Sequence, residues 1–415
     1  MRLLVGLHHL ELGGSQLNAV DLAVASRERG NEVTILATYE DSPGPVAEKV
    51  RAAGLPLVLV RHSRVTQGLP PVRRAVARTL SRVVAQERIQ LVHAYEYPQT
   101  LDAFYGPHLV HGVPLVSTIY GECVPTWLPR YQPLIVGTRK LADLAAPLRK
   151  QPPVLIEPPV NTDADSPALV DGAAFRKANG LDAAIVVCVV SRLEPDVKVH
   201  GIRLAIAAMR ILDDPGIKLL VIGDGPSFGS LNEAAERVNA ACGRRAVVMK
   251  GSLTDPRPAY AAADIALGMG GSALRAMAFG KPLIVLGIQG FAKPFAPPDA
   301  QEFLAGGFYG IGSGDLDPRP LASHLKELAG QPALRAELGA FGSQLVWERF
   351  SLKAASSTLD GVYAAASAQQ YPRGSRLREA ARVAVHRTGS ELLPAVAKDR
   401  LRPVARSFFH PRGRD

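Results

Sequence analysis

The chain has 415 residues, 47% of them hydrophobic and 21% charged, which is typical of a globular protein with two or three domains. No apolar run approaches the roughly 20 residues needed to span a bilayer, and the apolar stretch at 3–7 predicts a first strand instead of a secretion signal. Three widely spaced cysteines exclude a disulfide framework and structural zinc, and they favour the reduced cytoplasm.

The net charge of +10 is concentrated near the C-terminal end. From Tyr371 to Asp415, Lys and Arg outnumber Asp and Glu by seven, whereas the preceding residues carry a surplus of only three. Such charge runs are typical of solvated or interaction tails. Because residues 1–370 are nearly neutral and contain no recognisable nucleic-acid-binding module, nucleic acid is excluded as a partner. The tail also interleaves apolar residues, so a peripheral contact with the inner face of the membrane stays open.

Short apolar strands alternate with amphipathic helices, a pattern that predicts parallel α/β layers. In the first half, the predicted strands are 2–8, 32–38, 57–60, 89–94, 114–118, 134–137 and 154–156, and the helices are 15–29, 45–53 and 71–87. Consecutive prolines at 158 and 159 predict a stiff connector. In the second half, the predicted strands are 185–190, 218–222, 247–250, 265–267 and 283–286, and the helices are 202–212, 231–241, 272–279, 320–328, 332–350 and 352–368.

These elements predict two Rossmann-like α/β domains, an N-terminal one at 1–160 and a C-terminal one at 161–350. A final helix at 351–370 and a basic tail at 371–415 follow. Open α/β sheets bind ligands where their strands end. In the first half, this position holds Gly13, Gly14 and Ser15, whose backbone can approach a ligand closely while the serine caps a helix over an anion. A plain strand-to-helix turn explains the same residues equally well.

The second half has two loops suited to phosphate. Arg192 and Lys198 follow its first strand, and a guanidinium with an ammonium suits a pyrophosphate without a metal ion. Gly270, Gly271 and Ser272 precede a helix whose first amides can hold phosphate oxygens. By contrast, the turn that begins at Gly223 needs no ligand to explain its glycines. The histidines show no metal-ligand spacing, so no metal or cofactor is expected, and His93 is a candidate cleft residue.

The order of these segments resembles the family 4 retaining glycosyltransferases of the GT-B fold. The resemblance covers nearly everything before residue 370, and it rests on a series of short motifs. They are Gly13-Gly14-Ser15, Ser191-Arg192-Leu193 with Lys198 and Gly201, Gly223-Asp224-Gly225-Pro226, Lys250-Gly251, Tyr260 to Asp264, Ala276 to Pro282, Trp347 to Ser351, and Val362-Tyr363.

The resemblance implies two facing Rossmann-like domains, with the last helix crossing back to the N-terminal domain. It further implies that the N-terminal domain takes the acceptor and the C-terminal domain takes a nucleotide-diphosphate sugar, which is a substrate and not a cofactor. Residue by residue, it implies that Arg192 and Lys198 hold the diphosphate and that Gly13 and Gly14 lie under the donor phosphate and the transferred sugar. The donor side would also include Gly223, Leu253 beside the nucleobase, Gly270, Gly271 and Ser272. Ser15, His93 and Tyr120 are candidate sugar or acceptor residues.

This sequence departs from the family pattern at three places. Relatives carry two glutamates eight positions apart, and here Leu267 and Arg275 stand in their places. The second glutamate accepts hydrogen bonds from the donor ribose, which a guanidinium cannot do because it only donates. Arg275 is therefore expected to bind donor phosphate oxygens, or alternatively to face the neighbouring domain as a structural ion pair. Tyr120 stands where relatives often carry a histidine near the transferred sugar.

The predicted function is metal-independent transfer of a sugar from a nucleotide-activated donor to an acceptor hydroxyl, with retention at the anomeric carbon. The acceptor is a glycan, a lipid-linked molecule or a small molecule. Two alternatives remain open: a sugar-nucleotide epimerase of the same fold, and a catalytically silent glycosyltransferase-like partner protein. The sequence does not identify the sugar or the nucleotide.

Overall fold

The computed structural model describes residues 1–62, 72–121, 123–182, 184–195 and 198–392. The chain divides into two compact units. The N-terminal unit comprises Met1–Pro158 together with the chain from Ala355 onward, and the C-terminal unit comprises Pro159–Ala354. Each unit has its own sheet, its own flanking helices and its own hydrophobic core.

The N-terminal unit is built on a sheet of seven strands. They are β1 (Arg2–Leu7), β2 (Glu32–Tyr39), β3 (Leu57–Arg61), β4 (Leu91–Tyr95), β5 (Leu115–Ile119), β6 (Leu134–Val136) and β7 (Val154–Leu155). All pair in parallel, in the order β3-β2-β1-β4-β5-β6-β7. The strand order reverses between β1 and β4, so the carboxyl ends of these two strands flank the crevice where such sheets bind ligands.

The inner strands of this sheet are buried along almost their whole length, as expected for a parallel sheet with helices on both faces. The helices of this unit are α1 (Gly14–Glu28), α2 (Val46–Ala52), α3 (Arg74–Gln86), α4 (Glu96–Ala103), α5 (Leu109–His111) and α6 (Arg139–Ala145). A π-helical turn at Phe104–His108 joins α4 to α5. Helix α4 was not predicted from the sequence, and Pro98 lies in its first turn, where proline is tolerated.

The C-terminal unit has a second sheet of six strands. They are β8 (Ile185–Val190), β9 (Ile217–Ile222), β10 (Val247–Met249), β11 (Ile265–Gly268), β12 (Leu283–Leu286) and β13 (Ala292–Pro294). The order is β10-β9-β8-β11-β12-β13, and only the last pairing is antiparallel. Its helices are α7 (Gly172–Asn179), α8 (Lys198–Leu212), α9 (Phe228–Cys242), α10 (Arg257–Ala262), α11 (Gly271–Ala278), α12 (Ala300–Gly306), α13 (Arg319–Gly330) and α14 (Pro332–Arg349).

Two long helices end the described chain, α15 (Leu352–Ala368) and α16 (Arg373–Leu392). From Ala355 onward, α15 belongs to the N-terminal unit, and its buried face includes Leu359 and Tyr363. The predicted fold class of two Rossmann-like parallel α/β domains is confirmed by the two sheets. The edge strand β13 and the short helices α7 and α12 were not predicted, because none of them carries a long periodic pattern.

Helix α16 was not predicted either, since its arginines suggested a solvated segment. Val383 on this helix is fully buried in the core of the N-terminal unit. Arg376 donates a hydrogen bond to the carbonyl of Leu109 at 2.6 Å, and Arg382 donates to the carbonyl of Leu128 at 2.8 Å. The two arginines therefore anchor α16 to the N-terminal unit, because each guanidinium donates a hydrogen bond to a backbone carbonyl of that unit.

Candidate functional site

The two predicted phosphate-binding cations of the C-terminal unit lie where β8 ends. Arg192 is half-exposed on the loop after β8, with its Nη1 4.0 Å from Oε1 of Glu194. Lys198 is half-buried as the first residue of α8. Burial, and then the nearby positive charge of Arg192, lower the pKa of the Lys198 ammonium. Two cations that repel each other at the ligand-binding edge of a sheet form an arrangement that an anion would stabilise.

Lys198 shares a small cavity with the glycine-rich loop between β11 and α11. The residues that line it come from the ends of three neighbouring strands, β8, β11 and β12, and from the starts of two helices. They are Val189, Ser191, Lys198, Ile202, Gly268, Met269, Ser272 and Leu286. The Ser272 hydroxyl donates to the carbonyl of Met269 at 3.0 Å and accepts from its amide at 3.3 Å, which fixes the loop. The structure thus brings together Lys198 and Ser272, which the sequence placed in separate motifs.

The two glycines ahead of Ser272 have different environments. Gly270 has φ 54° and ψ −131°, and a Cβ added there would lie 2.5 Å from the Tyr309 hydroxyl. Gly270 must therefore be glycine for the loop to form. Gly271 is the first residue of α11, and an added Cβ would have no neighbour within 4 Å. The Ala273 amide is the first in α11 to donate to the carbonyl of Gly270, at 3.1 Å, so the amides of Gly271 and Ser272 ahead of it can bind an anion.

Packing within the unit accounts for two further residues predicted on the donor side. Gly223 has φ 147°, and a Cβ added there would lie 1.8 Å from the carbonyl oxygen of Ser191. Its amide donates to the carbonyl of Gly251 at 2.8 Å. Leu253 is partly buried and packs against the cluster that contains Val248. Gly223 therefore borders the end of β8, and Leu253 lies on the loop after β10. Contacts within the unit are enough to explain why these residues are present.

Arg275 has a partner that the sequence did not predict. Its Nε lies 2.9 Å from Oδ2 of Asp165 and its Nη2 lies 3.3 Å from Oδ1. The Asp165 side chain is only 2% exposed, whereas that of Arg275 is 37% exposed. The structure shows an ion pair, but the prediction that it faces the neighbouring domain is wrong, because Asp165 and Arg275 belong to the same unit. Leu267, at the other position where relatives carry a glutamate, is buried in β11.

In the N-terminal unit, the predicted glycine loop leads into α1. Gly13 precedes this helix in an extended conformation with φ −156°, and its carbonyl accepts from the Leu17 amide at 3.0 Å. Gly14 is exposed, and an added Cβ would have no neighbour within 4 Å. The Ser15 hydroxyl donates to Oε1 of Glu96 at 2.9 Å. The prediction that Ser15 caps the helix is therefore wrong, because Gly13 is the N-cap of α1 and the Ser15 hydroxyl is tied to a carboxylate at the end of a neighbouring strand.

Glu96 is a candidate site residue that the sequence analysis missed. It follows β4 directly and has a positive φ of 65°, which is unusual for a residue other than glycine. Its Oε1 also accepts from the Tyr120 amide at 3.0 Å. Burial raises the pKa of Glu96, and its hydrogen bonds oppose that shift. The rule that identified Ser15, a polar residue where an inner strand ends, would have identified Glu96 as well.

The structure places His93 in the core instead of at a cleft. His93 is 1% exposed in the middle of β4. Its Nδ1 lies 2.8 Å from the Tyr363 hydroxyl, its Nε2 lies 2.7 Å from Oγ1 of Thr118, and burial lowers its pKa to about 3. With both ring nitrogens bonded, His93 is a structural residue and not a sugar contact. Tyr120, by contrast, lies directly after β5 beside Glu96.

The described residues contain no group of His, Cys, Asp and Glu side chains that could hold a metal ion. Within the same part of the chain, no helix combines the length and the apolar composition that crossing a bilayer requires.

Two family models match the chain. "Glycosyltransferase Family 4" matches residues 12–147, and "Glycosyl transferases group 1" matches residues 184–306, so together they cover more than half of the chain. No curated protein sequence matches it significantly.

Several solved structures share the fold at low identity. HepE of Anabaena in complex with UDP has a TM-score of 0.67 at 17% identity, over 88% of this chain and 100% of that one. A glycosyltransferase of Rickettsia africae has a TM-score of 0.70 at 13% identity, over 89% and 99% of the two chains. Sucrose-phosphate synthase of Thermosynechococcus elongatus has a TM-score of 0.65 at 16% identity, over 88% and 99%.

The two parallel sheets and these structural neighbours define a GT-B glycosyltransferase fold. The chain belongs to the family 4-like glycosyltransferases of that fold, as the two family matches show. The predicted family and fold are thereby confirmed.

Proposed function

We propose that this glycosyltransferase moves a hexose-type sugar from a nucleotide-diphosphate donor to a hydroxyl of a glycan, a lipid-linked acceptor or a small molecule. The reaction retains the anomeric configuration and uses no metal ion. The observation that carries the proposal is the position of Lys198, which is half-buried in the same cavity as the loop at Ser272. A buried ammonium whose pKa is lowered gains most from a bound anion, because burial without a partner disfavours its charge.

In the proposed reaction, the bond between the anomeric carbon and the diphosphate oxygen breaks. The acceptor oxygen forms its bond to the same face of that carbon, and its proton passes to the departing phosphate. Arg192, Lys198 and the first amides of α11 would stabilise the charge that develops on the diphosphate. Such preorganised groups usually contribute the largest share of catalysis, and here they would replace a divalent cation.

Uridine diphosphate is the nucleotide that we propose first. HepE, whose fold resembles that of this chain, is described in complex with UDP and with UDP-glucose. Leu253 and the loop after β10 would border the base, whereas Gly13 and Gly14 would lie beneath the donor phosphate and the sugar. The acceptor would be held by the N-terminal unit, which carries Ser15 and Tyr120.

A silent partner protein is the second candidate, and a specific observation favours it. Arg275 is paired with Asp165, and Leu267 is buried in a strand, so neither replaces the paired glutamates of the relatives. A silent copy would bind nucleotide without turning it over.

A panel of nucleotide sugars tests both candidates. Thermal shift would identify the bound nucleotide, since a ligand that prefers the folded state raises its stability. Mass spectrometry of the products formed with a mixed acceptor panel would show transfer. NMR of the product would show its anomeric configuration, and activity in the presence of EDTA would show whether a metal ion is required. Binding without any transfer or donor hydrolysis would favour the silent partner. Conversion of the donor without acceptor into another nucleotide sugar would instead indicate an epimerase.

We also propose that the protein is cytoplasmic and contacts anionic membrane surfaces through its basic C-terminal segment. The exposed face of α16 carries Leu377 and Val385 beside Arg378, and the basic residues at 398–414 lie outside the described part of the chain. Pelleting with phosphatidylserine vesicles at low salt would test this, because such attraction is screened by salt. A full chain in which Arg400, Arg402 and Arg406 are changed to Glu should then stay in solution, and equal pelleting would contradict the contact.

A further inference from the structure

The carboxylate of Glu96 joins three neighbouring strand ends in the N-terminal unit. Glu96 follows β4, Ser15 follows the loop after β1, and Tyr120 follows β5, while β4 lies between β1 and β5 in the sheet. Oε1 of Glu96 accepts the Ser15 hydroxyl at 2.9 Å and the Tyr120 amide at 3.0 Å. One carboxylate oxygen thus fixes two loops at the ligand-binding edge of this sheet.

The second carboxylate oxygen of Glu96 is differently placed. Oε2 lies beside Gly121, where an added Cβ would be 3.3 Å from it, and the Gly121 backbone also hydrogen-bonds the carboxylate. A carboxylate oxygen has more than one lone pair, so it can accept a further hydrogen bond beside that contact. Glu96 itself remains partly exposed. Nearby, the hydroxyl oxygen of Tyr120 is buried and bonds to none of the described residues. An acceptor oxygen and an unsatisfied hydroxyl therefore lie at the same edge of the sheet.

The backbone of Glu96 points to a function beyond packing. A positive φ in a residue with a long side chain costs on the order of 1–3 kcal/mol, and such strain persists mainly where the side chain must be aimed. A glycine or an asparagine would satisfy this backbone more easily. Ionised carboxylates are pure acceptors, and carbohydrate hydroxyls are donors that match them.

We propose that Glu96 is a substrate-binding residue that accepts a hydrogen bond from a hydroxyl of the transferred sugar through Oε2, while Oε1 holds Ser15 and Tyr120. This inference rests on the proposed function, which places the loop at Gly13 and Gly14 beneath that sugar. Glu96 therefore contributes to the choice of sugar, whereas Arg192 and Lys198 bind the diphosphate that all such donors share.

The experiment compares the affinity for UDP with the affinity for UDP-sugars. Calorimetry on the full chain would use UDP, UDP-glucose, UDP-galactose and UDP-N-acetylglucosamine, with the tightest-binding sugar nucleotide taken as the probe. Glu96→Gln keeps the size of the side chain and an oxygen for Ser15, but it removes the charge. We expect this variant to bind the sugar nucleotide about tenfold or more weakly than the wild type, and to bind UDP less than about twofold more weakly. The reason is that hydrogen bonds to charged groups are stronger than those to neutral groups.

Glu87→Gln is the matched control. Glu87 also accepts a hydroxyl, that of Thr34 at 2.7 Å, but it precedes β4 and lies at the opposite edge of the sheet. We expect no change in either affinity for this variant. Ser15→Ala should also lower the affinity for the sugar nucleotide, as Glu96→Gln does, because the Glu96 carboxylate loses one of the contacts that position it.

The outcomes separate the inference from the proposed function. If Glu96→Gln lowers the melting temperature and weakens UDP and the sugar nucleotide equally, Glu96 is structural only and the inference is overturned. Unchanged affinities in that variant overturn it as well, while UDP binding by the wild type leaves the proposed function standing. If the wild type binds neither UDP nor any UDP-sugar, the proposed donor and this inference fail together.

Discussion

Arg275 holds the buried carboxylate of Asp165 through two contacts, with Nε 2.9 Å from Oδ2 and Nη2 3.3 Å from Oδ1. The pair ties α11 to a turn near the start of the C-terminal unit, where the Asp165 amide donates to the carbonyl of Asn161 at 2.7 Å. At the position of Arg275, relatives carry a glutamate that accepts ribose hydroxyls. Here, a side chain that only donates neutralises a carboxylate inside its own unit instead.

Arg275→Ala is expected to destabilise the C-terminal unit by about 2–3 kcal/mol, because it leaves the buried Asp165 carboxylate unpaired. Denaturant unfolding would measure the loss. Adding Asp165→Asn should restore part of it, since the double variant no longer buries an uncompensated charge. UDP affinity should change less than about threefold. A stable Arg275→Ala variant that binds UDP at least tenfold more weakly would instead support the phosphate-binding role.

Lys198→Ala is expected to lower turnover by about 10²–10³, since it removes one charge that stabilises the departing diphosphate. The melting temperature should not fall, because burial already disfavours the charged form of this ammonium. Arg192→Ala should behave similarly. Lys326→Ala, an exposed lysine on α13, is the control with the same change in net charge. Equal turnover in Lys198→Ala and Lys326→Ala would exclude Lys198 from the site.

Local patterns predicted most of the strands and the loops that follow them, because buried parallel strands are short apolar runs that end at the ligand-binding edge. The pairing of Lys198 with the Ser272 loop depends on β8 lying beside β11, which a linear pattern does not reveal. The partner of Arg275 was missed for a related reason, since Asp165 lies 110 positions earlier in the chain.

Two other features were missed because composition was misleading. The arginines of α16 indicated a solvated tail, although Arg376 and Arg382 donate to backbone carbonyls of the N-terminal unit. His93 was predicted as a candidate cleft residue, but its two ring nitrogens bond within the core. Whether a polar group is satisfied inside the protein is decided by tertiary neighbours, which the sequence does not display.

Acidification is expected to destabilise the N-terminal unit partly through His93. Its pKa is lowered from 6.5 to about 3, so between these values the unfolded chain binds a proton that the folded chain does not. The free energy of unfolding therefore falls as pH decreases through this window, by about 1.4 kcal/mol per pH unit for this group. In the His93→Gln variant, the free energy of unfolding should therefore fall less steeply with decreasing pH than in the wild type. Denaturant unfolding of both proteins at about pH 7, 6 and 5 would test this, and parallel slopes would contradict it.

Two valines on α16 provide a test of whether this helix belongs to the folded unit. Val383 is 0% exposed and Val385 is 71% exposed. Val383→Ala should lower the free energy of unfolding by about 2 kcal/mol, because it leaves a cavity in the core. Val385→Ala, with the same chemical change, should stay within about 0.5 kcal/mol of the wild type. Equal, small effects would mean that α16 does not pack in solution.

The glycines at 14 and 271 are expected to serve a ligand and not the fold. Each is the exposed first residue of a helix, α1 or α11, and an added Cβ would have no neighbour within 4 Å. Neither residue has the positive φ that would require glycine. Alanine at either place should therefore leave stability unchanged or raise it by up to about 1 kcal/mol, through helix propensity.

Binding should respond differently, because a methyl group at the start of α11 would stand where phosphate oxygens approach the amides. We expect Gly271→Ala to weaken UDP binding about tenfold. We expect Gly14→Ala to weaken the binding of a UDP-sugar more than the binding of UDP itself. Gly374→Ala is the matched control, since Gly374 is also an open glycine at a helix start, that of α16. Calorimetry with UDP and with a UDP-sugar, together with thermal unfolding, would be measured on all three variants. If Gly271→Ala and Gly374→Ala bind UDP equally well, the start of α11 is not the phosphate site.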